Sequence, residues 1–400
     1  MAERIAIVIQ RFHETIVGGS EALASQYAHL LKDNFQVDIL TTTALDYVTW
    51  PNDLPEGDEM FNGICVRRFR VSIGRSDYWH RLNQRLQQMF FNEGSANDYF
   101  HAPWSLALQE EYIRHQGPYS QNLFDFLKHS WQDYSAIIFT TYLYPTTYFG
   151  IKQVPPSRSI LIPTLHNEPN AYFSVYRYQY QSVSTCLWLT NAERQLGESV
   201  WGRLPGEVTA MHVNVEPYEP YKSDYPYLLY SGRIESSKGC ETLFQFFLKF
   251  KQDYTSNLRL VLTGKRISEI PNHSDIDFRG YVSAEEKFQL MAGACLFVMP
   301  SPYESFSIVT LEAMAQKTPV LVNAGCEVLV EHVNRSGGGR LYNNYEEFAR
   351  NLRELITNPQ KRLTLGQQGR DYVVQNFSEQ GVRDRLLQVI KRCVKEQHLV

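Results

Sequence analysis

Cysteine is sparse and scattered. The six (Cys65, Cys186, Cys240, Cys295, Cys326 and Cys393) form no C-x-x-C pair and no Cys/His cluster at ligand spacing. That removes zinc-ribbon and dithiol chemistry and makes a reduced, cytoplasmic setting the simplest expectation. No run of 18 apolar residues occurs, and the apolar stretch at residues 5–9 is too short for the core of a secretory signal, so neither a spanning helix nor a leader is expected. Charge of one sign is lacking too. With 39 Lys+Arg against 43 Asp+Glu, the formal net charge is -4, which argues against general nucleic-acid binding. Neither G-x-G-x-x-G nor G-x-x-x-x-G-K-[ST] is present, excluding the dinucleotide fingerprint and the P-loop.

What is present is an ordinary globular composition, 43% hydrophobic and 20% charged over 400 residues, a length that favours two domains. Apolar runs at 5–9, 136–140 and 160–163 and the segments 37–41 and 63–70 read as strands, with a helix over 20–31. A polar, proline-containing segment at 214–225 reads as a linker. From residue 227 the alternation restarts, with strands at 227–230, 258–262, 276–280, 295–299 and 319–322 and helices between them. Strand-helix alternation in both halves predicts two parallel-sheet α/β domains, 1–214 and 215–377, each doubly wound.

The stretch Ser301-Pro302-Tyr303-Glu304-Ser305-Phe306-Ser307-Ile308-Val309-Thr310-Leu311-Glu312 places two carboxylates eight residues apart around a helix start. At about 1.5 Å rise per residue they lie on the order of 12 Å apart, too far to grip one atom but suited to the two ends of an elongated ligand. The amides of Ser307, Ile308 and Val309 would offer a phosphate site between them. The same spacing also fits a loop acid, a capping serine and a solvated helical acid. In the loop Ser231-Gly232-Arg233-Ile234-Glu235-Ser236-Ser237-Lys238-Gly239, both cations are within reach of one pyrophosphate, or are ordinary surface charges. His166, Asn167 and Glu168 follow a strand at its carboxyl end, and Gly18-Gly19 precedes a helix; each is a ligand contact or a structural residue. Between residues 67 and 85, Arg67, Arg68, Arg70, Arg75, Arg81 and Arg85 occur with Asp77 as the one acid. That is either a solvated face or a surface for anionic lipid.

The acid-bracketed stretch resembles the E-x7-E signature of retaining glycosyltransferases of family 4, usually E-G-F-G-x-x-x-L-E-A-M-A, with Ser305 and Ser307 where that signature has glycine. Residues 232–239 are similar to its G-R-x-x-x-x-K-G segment, and residues 18–21 to its G-G-x-E loop. The resemblance implies a GT-B fold, two Rossmann-like domains facing a cleft, with the final helix (378–400) crossing back to the first domain. It implies Arg233, Lys238, Glu304 and His166 as catalytic residues. For donor binding it implies Gly18, Gly19, Gly232, Thr263, Gly264, Tyr281, Val282, Phe306, Ser307, Ile308, Val309 and Glu312, the last on the ribose. Asn167 and Glu168 are expected to face the acceptor. The implied activity is transfer of a hexosyl group, glucosyl for preference, from a UDP-sugar to a saccharide or lipid-linked saccharide. No metal or other cofactor is expected, and Asp275-Ile276-Asp277 is assigned to structure. Peripheral contact with the inner membrane face is a further expectation. A sugar-nucleotide epimerase or hydrolase, or a non-catalytic nucleotide-sugar-binding subunit, would fit the same residues.

Overall fold

The structure, a computed structural model, describes residues 3–16, 18–93, 100 and 102–397. The described chain forms two compact units, residues 1–210 together with 383 onward, and residues 211–382.

The strands of the first unit are β1 (Arg4–Val8), β2 (Gln36–Thr42), β3 (Gly57–Phe61), β4 (Ile64–Phe69), β5 (Ala136–Phe139), β6 (Ser159–Leu161), β7 (Thr185–Trp188) and β8 (Gly206–Val208). They form one sheet in the order β3-β4-β2-β1-β5-β6-β7-β8. All neighbours are parallel except β3 and β4. Its helices are α1 (Gly19–Leu31), α2 (Asp77–Glu93), α3 (Leu106–Gln116), α4 (Gln121–Ser130), α5 (Pro145–Ile151), α6 (Ser174–Tyr180) and α7 (Asn191–Trp201). β5 and β7 are buried at every position, as parallel strands covered on both faces must be, and apart from Thr185 at the head of β7 their sequences are accordingly apolar. Sequence reading missed β3, whose residues are nearly all exposed. Its signal was the turn Asn62-Gly63, both with positive φ (50° and 80°), the geometry of a two-residue hairpin loop.

In the second unit β9 (Tyr227–Ser231), β10 (Arg259–Thr263), β11 (Ile276–Gly280), β12 (Leu296–Met299), β13 (Val320–Asn323) and β14 (Gly339–Tyr342) make an all-parallel sheet ordered β11-β10-β9-β12-β13-β14. Helices α8 (Cys240–Asp253), α9 (Ala284–Gly293), α10 (Ile308–Ala315), α11 (Glu327–Ser336), α12 (Tyr345–Thr357) and α13 (Pro359–Asn376) belong to it. Helix α14 (Glu379–Gln397) follows, and from Arg383 it groups with the first unit. The unit boundary thus falls at residue 210 instead of 214, and the last three positions of the expected final helix lie outside the described residues. No described helix is long and apolar enough to cross a membrane.

Candidate active site

Strand order changes direction once in the second sheet. β10 and β11 lie on one side of β9, and β12, β13 and β14 on the other. The loops leaving the carboxyl ends of β9 and β12 therefore open on one crevice, the usual ligand position in such sheets. The β9 loop carries Gly232, Arg233 and Lys238, and the β12 loop carries Glu304 to Ser307. Close backbone approach locks the loops together. Gly239 has φ 72°, and a Cβ there would fall 2.4 Å from the carbonyl oxygen of Pro300. Gly264 has φ 119°, and its Cβ would fall 2.1 Å from the carbonyl oxygen of Gly232, while Gly232 N donates to Thr263 O (3.0 Å) and Gly264 N to Gly280 O (2.7 Å). Neither approach leaves room for a side chain.

One ion pair spans this junction, and a second lies within the β9 loop. Lys238 Nζ donates to Glu304 Oε1 at 2.8 Å, both side chains being mostly buried. Arg233 Nη2 lies 3.1 Å from Glu235 Oε1. Helix α10 begins beside them: Thr310 N donates to Ser307 O (3.0 Å), so the amides of Ile308 and Val309 precede the first intrahelical bond. Ser307 does not cap by its side chain. It is left-handed (φ 57°, ψ 58°), and its Oγ shares a hydrogen bond with Thr310 Oγ1 (2.9 Å). Thr263 is buried and Tyr281 is 65% exposed, with Val282 between these extremes.

Glu312 is not the solvated acid of the plainer reading. It is buried, and Lys287 Nζ from α9 donates to both its oxygens at 2.8 Å. Burial pushes its carboxyl up and Lys287 pulls it back. Phe306 is buried, and its carbonyl accepts from His332 Nε2 (2.9 Å), while Tyr372 lies 3.1 Å from His332 Nδ1. Burial pushes the His332 ring below its ordinary value despite that carbonyl. It is therefore neutral, donating through Nε2 and accepting from the Tyr372 hydroxyl. Sequence reading found neither Lys287 nor His332, which stand in helices with no motif around them. Asp275 accepts Lys251 (3.1 Å), and Asp277 accepts Tyr225 and Arg279 (3.0 Å each); the D-x-D pair is occupied by the fold.

In the first unit the order reverses between β1 and β5. Gly18 is the extended N-cap of α1, and a Cβ on it would meet Glu21 Oε2 at 2.1 Å. Gly19 is already helical, with open space around it. The buried Glu21 explains the constraint on Gly18: its carboxylate accepts Arg11 Nε (2.6 Å) and Ser20 Oγ (3.0 Å). After β6, His166 Nδ1 lies 3.8 Å from Glu168 Oε1, which accepts the Tyr142 hydroxyl at 2.8 Å. Asn167 accepts from the Tyr172 hydroxyl (2.8 Å). The loop is braced from α7, where fully buried Glu193 accepts Leu165 N (2.7 Å) and Leu189 N (2.6 Å). Burial raises that carboxyl to about 8 against these amides. Its signal was the capping-box spacing Thr190-x-x-Glu193.

Three of the six clustered arginines are committed to the fold. Arg67 pairs with Asp58 (2.5 Å), Arg68 with Glu59, and Arg75 lies over the Trp79 ring (4.5 Å) and donates to Gln116 O (3.2 Å). Arg70, Arg81 and Arg85 are exposed. The basic face between residues 67 and 85 is thus reduced to these three, because Arg67 and Arg68 pair with acids of β3 and Arg75 packs against Trp79.

Residues 217–372 match the family model described as glycosyl transferases group 1. An uncharacterized glycosyltransferase of Methanocaldococcus jannaschii, MJ1607, is 22% identical over 364 residues, 82% of this chain and 83% of its own. The MMP alpha-(1->4)-mannosyltransferase of Mycolicibacterium hassiacum is 30% identical over 168 residues, 39% of this chain and 40% of its own. A second M. jannaschii glycosyltransferase, MJ1178, is likewise covered over only 44% of its length. Among solved structures, Anabaena HepE in complex with UDP and glucose superposes with TM-score 0.67 at 15% identity, over 98% of this chain and all of its own. That likeness concerns the fold, which is GT-B.

Proposed function

Residues 217–372 form a glycosyl transferases group 1 domain, and from that premise we propose that the chain moves a hexosyl group, glucosyl for preference, from a UDP-sugar to a saccharide or lipid-linked saccharide, with retention, in polysaccharide synthesis. The observation that carries the proposal is the Lys238–Glu304 pair (2.8 Å), which joins the β9 and β12 loops where the strand order reverses, beside Arg233 and the start of α10.

In this reading a nucleoside diphosphate lies along the β9 and β12 loops. Charge builds on the departing phosphate oxygen as the sugar becomes oxocarbenium-like, and Arg233, Lys238 and the amides of Ile308 and Val309 answer it electrostatically. Fixed cations and helix amides do there what a divalent ion does in other transferases, so turnover in EDTA is expected to match turnover without it. The leaving phosphate itself takes the acceptor proton, and no separate base is assigned. Glu312, released in part from Lys287, receives the ribose hydroxyls, and Glu304 the sugar. In the first unit, Gly18, Gly19 and His166 are assigned to the sugar, and Asn167 and Glu168 to the acceptor. HepE carries UDP and glucose, and one relative is named a mannosyltransferase; the first supports uridine and the second keeps mannose in the test.

The experiment is nucleoside diphosphate release from a panel of UDP-, GDP- and ADP-sugars, with and without saccharide acceptors. Acceptor-dependent release from a UDP-hexose is expected. In Lys238→Ala, kcat should fall by about 100-fold or more, the usual cost of losing one group that stabilises developing charge. Release to water alone would mark a hydrolase, an altered sugar nucleotide an epimerase, and no release a binding subunit. Turnover like wild type in Lys238→Ala would overturn the mechanism.

A further inference from the structure

The strands that present the candidate active site at their carboxyl ends frame a second cavity at their amino ends. Pro226, Leu258 and Cys295, the residues just before β9, β10 and β12, line it together with the end of α8 and the α12–α13 junction. The cavity is a half-open recess of about 510 Å³, ample for a monosaccharide ester. At roughly 3.3 Å per residue, a five-residue strand sets it about 16 Å from the β9 loop.

Its lining is chemically one-sided. Arg353 and Arg362 both contribute, and no acid does. Arg362 uses Nη1 on the carbonyls of Leu355 (2.6 Å) and Ile356 (3.0 Å), which leaves Nε and Nη2 as donors. The Arg353 guanidinium lies 5.4 Å from the centre of the Tyr254 ring, and Tyr254 packs on Phe250 at 5.0 Å. Arginine forks suit the oxygens of a phosphate ester, and the aromatic wall suits the apolar face of a sugar ring. Asn257 and Thr357 add amide and hydroxyl groups. The walls are braced in advance: Lys251 Nζ donates to Leu258 O (3.1 Å) while pairing with Asp275, and Thr357 Oγ1 donates to Arg353 O (2.8 Å).

We propose that this cavity is a binding site for a phosphorylated monosaccharide, with Arg353 and Arg362 on the phosphate and Tyr254 against the sugar ring. The site is separate from the candidate active site and stands whether or not the donor assignment does.

The test is calorimetric titration of the full chain with glucose 6-phosphate, with saturating UDP present to fill any site for a nucleoside diphosphate. Glucose 6-phosphate is expected to bind under these conditions. Arg353→Ala, at an exposed position, should weaken it by about tenfold or more, the usual loss for one charge-assisted bond, while the melting temperature without ligand stays put. Glucose and inorganic phosphate should each bind at least tenfold more weakly. Absence of binding, an unchanged Kd in Arg353→Ala, displacement by UDP, or phosphate binding as tightly as the ester would each overturn the proposal. If the donor reading fails while this titration succeeds, the second site remains.

Discussion

Ser307 holds a conformation that its side chain disfavours. At φ 57° and ψ 58° a residue with a Cβ carries a cost of about 1–2 kcal/mol that glycine escapes, and the signature this stretch resembles has glycine there. The Oγ bond to Thr310 (2.9 Å) offsets some of that, since a buried hydrogen bond contributes about 1 kcal/mol. Two substitutions separate the terms. Ser307→Gly loses the bond and the strain together and should change stability by less than about 1 kcal/mol, whereas Ser307→Ala loses only the bond and should unfold about 1 kcal/mol more easily than the glycine variant in urea. The motif was legible from sequence, but the backbone state at its centre was not, because serine at a helix start usually signals an extended N-cap.

His332 gives a pH dependence whose sign follows from its burial. Its folded value is depressed below 6.5 by desolvation. Below about pH 6.5 the unfolded chain therefore takes a proton that the buried ring refuses, and folding weakens as pH falls, by up to about 1.4 kcal/mol per unit until the folded value is reached. Protonation of Nδ1 would also turn away the Tyr372 hydroxyl. Urea midpoints measured at pH 7.5 and 5.5 should differ less in His332→Gln than in wild type. Equal slopes would show that other groups set the acid response.

The elements were read most faithfully where one physical cause dominates. Buried parallel strands announce themselves as apolar runs, so the readings of 5–9 and 258–262 lie within a residue of β1 and β10. The solvated edge strand β3 has no such run, and α11, which supplies His332, is amphipathic without a motif. The close packing of the β9 and β12 loops was equally hidden, since a glycine does not name the neighbour that requires it. Gly239→Ala tests that packing. A Cβ 2.4 Å from the Pro300 carbonyl at φ 72° must push backbone, and with 1–3 kcal/mol for the left-handed state alone the variant should lose about 3 kcal/mol or more in urea. It should also lose activity beyond its stability, by moving Lys238 off Glu304. Gly19→Ala, where nothing lies within 4 Å, is the control for stability alone and should unfold at the same urea concentration as wild type or slightly higher.

At the scale of the whole chain, the first unit is not continuous in sequence. It is closed by α14, which returns to it after the whole of the second unit has been made. Arg383 of α14 pairs with Asp33 (2.8 Å), and Leu386, Val389, Ile390 and Val394 are buried. Four such side chains, at roughly 1.5–3 kcal/mol each, contribute on the order of 6–12 kcal/mol. Domains as a rule hold only about 5–15 kcal/mol in total, so the first unit cannot do without this helix. Fragments report the asymmetry. Residues 211–382 contain a complete parallel sheet and its helices and should unfold cooperatively alone. Residues 1–210 should give a broad, low-temperature transition, which a peptide spanning 379–397 added in trans should sharpen and raise. A cooperative, unassisted transition in the 1–210 fragment would show that the first unit's own packing suffices and that α14 merely rests on it.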